Sequence, residues 1–198
     1  MPTPADITIR RISPADGPVL RTARLAALED ARTPVFSALR DQEAAYSEDE
    51  WQGRADRASD GAQRCVYLAV HRPSGRPVGM AAGYREEPVG SSPHVELAWV
   101  WVARHLRGSS IAADLVRAVV DWARTAEVAY VKLWVDVTND NATMLYRNCG
   151  FTDASARRSL WLDEDTVERR MHLALDRDTP PPPDADDPAQ SPGAPDRP

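Results

Sequence analysis

The sequence predicts a mixed α+β fold. A central, mostly antiparallel sheet is flanked by helices on both faces, giving an α/β sandwich of three layers. Two observations lead there. Short apolar or alternating runs of strand length recur along the chain, and three of them (65–71, 77–84 and 94–102) follow one another before the main helix begins. Beyond that point helices and strands alternate, so the elements are neither segregated nor strictly alternating. Three consecutive strands before the main helix exclude a doubly wound parallel sheet.

In chain order, 7–12 (ITIRRI) alternates apolar and polar and reads as a strand. Ser13, Pro14, Ala15 and Asp16 make a turn into a helix over 19–29, where apolar residues fall at helical spacing. Ser47 with Glu50 forms a capping box ahead of Trp51, so a second helix should run to about Ala58. The runs 65–71 (CVYLAVH) and 77–84 (PVGMAAGY) flank a turn at 73–76 and read as a hairpin. After a loop rich in Pro, Gly and Ser comes the strongly apolar strand 94–102 (HVELAWVWV). Strict alternation there sets Trp99 and Trp101 on one face and Glu96, Ala98, Val100 and Val102 on the other.

The helix over 110–125 is the best defined. Ile111, Leu115, Ala118, Val119 and Trp122 share one face, and Asp114, Arg117, Asp121 and Arg124 share the opposite one. Ser109 and Ser110 are candidate N-caps. A strand over 129–137 follows. A short helix over 139–148 comes next, with Asn139 as cap and Gly150 as left-handed stop. The runs 151–162 and 167–175 make a closing antiparallel pair joined at 163–166.

Composition bounds the function. The chain has 198 residues, 42% hydrophobic and 27% charged, as expected for one globular domain. Its formal charge of −6 argues against nucleic acid as a partner. The segment 176–198 holds eight prolines, six Asp and two Arg, and no large apolar side chain, so it is expected to be a disordered tail behind a domain at 1–175. No apolar run is long enough to span a membrane, and the N-terminus lacks a signal-peptide core, which makes a cytoplasmic protein the expectation. Two cysteines, Cys65 and Cys149, make no disulfide framework, and Cys149 reads as a small buried residue. His71, His94, His105 and His172 lack metal-ligand spacing, so no metal is expected. Lys132 is the one lysine beside 23 arginines, a bias that reads as genomic base composition.

Two segments carry chemistry. Arg107-Gly108-Ser109-Ser110-Ile111-Ala112 opens a helix directly after a strand. The first helical N–H groups lack intrahelical partners, and the helix dipole adds positive character, so such a turn suits an anion. Gly108 permits close approach, and Arg107 adds a positive charge. The segment lacks the GK[ST] of a triphosphate loop and the GxGxxG of a dinucleotide fold. The second segment, Asn139 to Phe151 (NDNATMLYRNCGF), follows the next strand.

Together with WVARHLRGSSIA and LWVDVTNDNATMLYRNCGF, the element order resembles the GNAT superfamily of acetyl-CoA-dependent N-acetyltransferases over roughly residues 7–175. The family's Arg/Gln-x-x-Gly-x-Gly/Ala signature is matched at Arg107–Ala112, with Ser110 standing where glycine is usual. The resemblance implies the GNAT acyl-CoA N-acyltransferase fold, with acetyl-CoA in a splay between strands 94–102 and 129–137. The backbone of Val100, Trp101 and Val102 would pair with the pantetheine. The N–H groups of Gly108, Ser109, Ser110, Ile111 and Ala112, with Arg107, would hold the pyrophosphate. Glu96 is the expected general base, with Asp136, Glu86 and His94 as weaker alternatives. Tyr146 is the expected acid for the departing thiolate, and Asn139 both caps its helix and bonds the cofactor.

The activity implied is transfer of acetyl to a primary amine of a small molecule or peptide by direct attack in a ternary complex, by a monomer or homodimer. A non-catalytic acyl-CoA-binding or regulatory module is the alternative. The acids Asp41, Glu43, Glu48, Asp49 and Glu50 read either as a rim attracting a cationic amine or as helix-dipole partners.

Overall fold

The computed structural model describes residues 4–31, 34–86, 93–160 and 163–176. Its strands are β1 (Ile7–Arg11), β2 (Arg64–His71), β3 (Arg76–Glu86), β4 (His94–Val102), β5 (Tyr130–Asp136), β6 (Thr152–Leu160) and β7 (Asp163–Ala174). They form one sheet in the order β1-β2-β3-β4-β5-β7-β6. Only β4 and β5 run parallel; every other pair is antiparallel. The helices are α1 (Gly17–Ala31), α2 (Pro34–Ala44), α3 (Glu48–Ser59), α4 (Ile111–Thr125) and α5 (Asp140–Asn148). The expected three-layer α+β fold is what forms. The greater part of the expected tail, 177–198, lies outside the described residues.

Each face has its own core. On one, α4 and α5 cover the sheet, with Leu115, Val116, Val119 and Trp122 packed on Val95, Leu97, Val131 and Leu133. Burying a side chain of this kind stabilises the fold by about 1.5–3 kcal/mol. On the other, α1 and α3 place Leu20, Ala23, Trp51 and Ala55 over Val66, Leu68, Met80 and Ala82. Gly83 sets how closely α4 can sit: a Cβ there would lie 2.8 Å from Val119 Cγ1 and 3.0 Å from the Trp122 ring. The run of small residues on β3 is therefore the seat of α4.

Three details depart from the sequence reading. Helix α2 was not expected. One of its inward positions is Glu43, whose buried carboxylate is gripped by Arg24 Nη2 at 2.9 Å and faces Arg54 Nη1 at 3.7 Å, so no apolar stripe betrays it. For the same reason Glu43 is not part of an acidic rim. Glu50 closes the capping box with Ser47, as anticipated. Ser110 stands at the N-cap of α4 but caps nothing, because its hydroxyl donates to Asp114 Oδ2 at 2.8 Å. Residues 163–166, read as a connection, begin β7.

Candidate active site

The parallel pairing of β4 and β5 is brief. His94, Val95 and Glu96 pair with Tyr130, Val131 and Lys132, and the ladder stops. β4 continues to Val102 along β3, and β5 continues to Asp136 along β7. Their facing edges therefore diverge over Leu97–Val102 and Leu133–Asp136, leaving a wedge whose apex is the Glu96–Lys132 rung.

A bulge shapes one wall. Ala82 pairs with Ala98 and Met80 with Trp101, so Trp99 and Val100 together oppose Ala81, and Trp99 takes φ +58°. Two residues against one reverse the side-chain alternation. Before the bulge Val95 and Leu97 face α4; beyond it Val100 and Val102 do. Trp99 and Trp101 pack on the α1 side, the side on which Glu96 meets Glu86 and Lys132. The expected facial pattern is thus corrected: Glu96 shares its face with the two tryptophans, not with Val100 and Val102.

Glu96 is 3% exposed. Among the described residues neither carboxylate oxygen has a hydrogen-bond partner, and the cation paired with it is Lys132, whose Nζ lies 3.4 Å from Oε2. Burial pushes its pKa up to about 7, with Lys132 opposing and Glu86 adding to the rise. Glu86 behaves oppositely. Burial would raise it, but a hydrogen bond with His94 Nε2 at 3.0 Å and Lys132 at 3.1 Å outweigh that and hold it near 2. His94 is stacked on Tyr130 and its Nδ1 lies 3.2 Å from the phenol oxygen. Glu86, His94 and Glu96, read as separate candidates, are thus neighbours in one cluster. Asp136 stands apart, its Oδ1 accepting from Thr138 N and Oγ1.

Beyond the free end of β4 comes the predicted anion turn. Gly108 has φ +83°, and a Cβ there would meet nothing within 4 Å. The first N–H that the α4 turn itself takes is that of Asp114, bonded to Ser110 O at 2.9 Å. Among the described residues the N–H groups of Gly108, Ser110, Ile111 and Ala112 take no backbone acceptor, whereas Ser109 N is weakly bonded to Leu106 O at 3.4 Å. The Arg107 side chain is directed elsewhere, with Nε on Val102 O at 3.1 Å and Nη2 on Asp30 Oδ2 at 2.9 Å. Asp30, which sequence reasoning missed, also accepts from Trp101 Nε1 and Arg104 Nε. It ties the end of α1 to β4 and to the turn. Burial resists its ionisation, but those bonds and the two guanidinium charges lower its pKa.

On the far side of the wedge, Asn139 Oδ1 accepts from Ala142 N at 3.1 Å and caps α5 as expected. Tyr146 is buried edge-on against Phe151, and burial raises its phenol above the ordinary value. Cys149, partly buried, is likewise raised by burial. No cluster of His, Cys, Asp and Glu suited to a metal occurs among the described residues, and no described helix is long and apolar enough to cross a membrane.

A family model described as acetyltransferase (GNAT) family matches residues 25–151. Solved structures share the fold. A GNAT-family acetyltransferase from Streptococcus pneumoniae superposes with a TM-score of 0.69 at 15% identity, covering 85% of this chain and 99% of that one. The putative acetyltransferase yncA from Salmonella typhimurium, with its cofactor acetyl-CoA, gives 0.67 at 18% identity, covering 88% and 97%. Glucosamine-6-phosphate N-acetyltransferase from Arabidopsis thaliana gives 0.62 at 18% identity, covering 79% and 99%. A search of curated protein sequences finds no match. The wedge between two parallel strands, the open helix N-terminus after it and the family match define an acetyltransferase. The chain belongs to the GNAT family.

Proposed function

We propose that this protein transfers the acetyl group of acetyl-CoA to the primary amine of a small molecule or peptide, by direct attack in a ternary complex. The observation that carries the reading is Glu96: a buried carboxylate with no hydrogen-bond partner among the described residues, poised near neutrality at the apex of the wedge. An alkylamine titrates near pH 10, so at pH 7 only about one molecule in a thousand is neutral. A base with pKa near 7 is well matched to removing the proton.

The residues present fit the cofactor. The N–H groups of Gly108 and of Ser110 to Ala112 lack backbone acceptors, and the space over Gly108 is open, which suits a pyrophosphate. β4 at Val100, Trp101 and Val102 borders the wedge, with Val102 O already accepting from Arg107 Nε, and the edge groups not paired with β3 suit the pantetheine amides. When bound, acetyl-CoA supplies an acyl thioester. Glu96 takes one proton from the bound ammonium, and the neutral amine this leaves is the nucleophile. The Tyr146 hydroxyl, held by its ring against Phe151, gives a proton to the departing sulfur. Arg107 and Asn139 support the two ends of the cofactor site, Arg107 from its anchor on Asp30.

Thiol release from acetyl-CoA, measured across a panel of small amines, amino acids and peptides, tests the reading, with calorimetry on acetyl-CoA alongside. Binding together with amine-dependent release supports it. Binding without release for any amine favours a non-catalytic acyl-CoA module. Absence of binding contradicts both.

A further inference from the structure

The chain holds 23 arginines and a single lysine, and that lysine is buried in the site. Lys132 stands directly opposite Glu96 in the β4–β5 register, on the last rung before the strands part. Its Nζ lies 3.1 Å from Glu86 Oε2 and 3.4 Å from Glu96 Oε2. An ammonium is a compact charge whose three donors point in different directions, so it can serve two carboxylates that do not share a plane. A guanidinium is a flat fork built for one. The position therefore asks for lysine even in a chain that otherwise uses arginine.

We infer that Lys132 is a positioning residue for the acetyl transfer: shared between Glu86 and Glu96, its ammonium holds the Glu96 carboxylate at the wedge apex and keeps it able to ionise there. This rests on the reading of Glu96 as the base. Without Lys132 two carboxylates would face each other in a dry site, and one of them would stay protonated. The other charged and titratable groups around Glu96 do not replace it. On β3, Glu86 adds negative charge, and Tyr84 lies across the rung from Glu96. On β4, His94 is bonded to Glu86, and on β5 Tyr130 is bonded to His94. Arg158 on β6, paired with Glu168 and stacked on Trp134, also favours the ionised Glu96, but less than Lys132 does, while Arg170 on β7 acts on Tyr130. From α1, Arg24 is committed to Glu43.

The test is a carboxyl-carbon NMR titration of Glu96 in the intact protein, run beside the pH profile of kcat/KM. The variants are Lys132→Met, Lys132→Arg and Glu86→Gln. In Lys132→Met the Glu96 midpoint should rise by about one pH unit or more. The acid limb of kcat/KM should rise with it, so that the rate at pH 6.5 falls about tenfold and recovers by pH 9. Lys132→Arg, which keeps the charge but serves one carboxylate better than two, should bring the midpoint only part of the way back. Glu86→Gln leaves Lys132 to Glu96 alone, so midpoint and limb should fall. An unmoved Glu96 midpoint in Lys132→Met overturns the inference and leaves the base reading intact. If that variant does not fold, an unmoved midpoint in Glu86→Gln does the same. A midpoint that moves while the kinetic limb stays still overturns Glu96 as base, and the role of Lys132 in the reaction with it.

Discussion

Glu96 and Lys132 face each other across the last rung of the β4–β5 ladder, carboxylate and ammonium 3.4 Å apart, and the two strands separate directly beyond them. The point where the sheet opens is therefore also a point where opposite charges are buried together. A carboxylate placed there loses its water and regains only part of that loss from Lys132, which makes it weak as a structural ion and suits it to the base role proposed above.

That placement has a stability consequence. Glu96 releases its proton near pH 4.5 when unfolded but only near 7 when folded. The stability linked to its protonation is fully present below pH 4.5 and is lost as pH rises through 7. Glu96→Gln cannot lose a proton, so it should match wild type at pH 4 and exceed it at pH 8 by about 1–3 kcal/mol. Urea denaturation at the two pH values measures the difference. Equal gains at both would show that packing, not ionisation, is responsible.

Tyr146→Phe separates acid catalysis from packing. The ring contact with Phe151 is kept, so stability should change by less than about 0.5 kcal/mol. With the hydroxyl gone, kcat should fall roughly 10²–10⁴-fold while KM for acetyl-CoA stays nearly constant. Turnover within about threefold of wild type, a barrier change below roughly 0.7 kcal/mol, would remove Tyr146 from the reaction.

Substitutions at Ser110 probe the anion turn. Its backbone is right-handed, with φ −71°, so glycine brings no conformational relief there. Ser110→Gly should leave acetyl-CoA affinity unchanged or tighter. Ser110→Asp places a second carboxylate next to Asp114 and should weaken binding at least tenfold by repulsion. Calorimetry reads both, and an aspartate variant of undiminished affinity would mean that the pyrophosphate lies elsewhere.

Gly83→Ala tests the seat of α4. The added methyl would lie 2.8 Å from Val119 Cγ1, in a core that cannot yield without moving the helix. A loss of about 1–3 kcal/mol is expected. A thermal melt unchanged within a degree would show that α4 is not packed as described.

Much of this was legible in the sequence because the elements obey simple periods. The hairpin 65–84, the strand His94–Val102 and the amphipathic α4 stand out by alternation or helical spacing, and the boundaries fall within a few residues. The unread parts share one cause: a polar group or an extra residue interrupts the period. Glu43 occupies a core position of α2 because Arg24 and Arg54 compensate it, and no local pattern announces partners 19 and 11 residues away. The bulge at Trp99 is one residue too many in a run that otherwise alternates well. Lys132 was legible only as an oddity of composition, since its significance depends on Glu86 and Glu96, which the sheet brings to it. Asp30 gave no signal at all, because its three donors lie more than 70 residues further along the chain.

The most direct measurement is thiol release from acetyl-CoA by Glu96→Gln, followed from pH 5.5 to 9.5 with the best amine of the panel. Wild-type kcat/KM should rise with pH through an ionisation near 7. In the glutamine variant that step should vanish and the rate near neutrality should fall roughly 10²–10⁴-fold, the usual worth of a positioned base. The residual rate should climb steadily with pH as free amine accumulates. A variant that keeps near-normal turnover and the same ionisation near 7 would contradict the account, because the base would then lie outside the apex of the wedge.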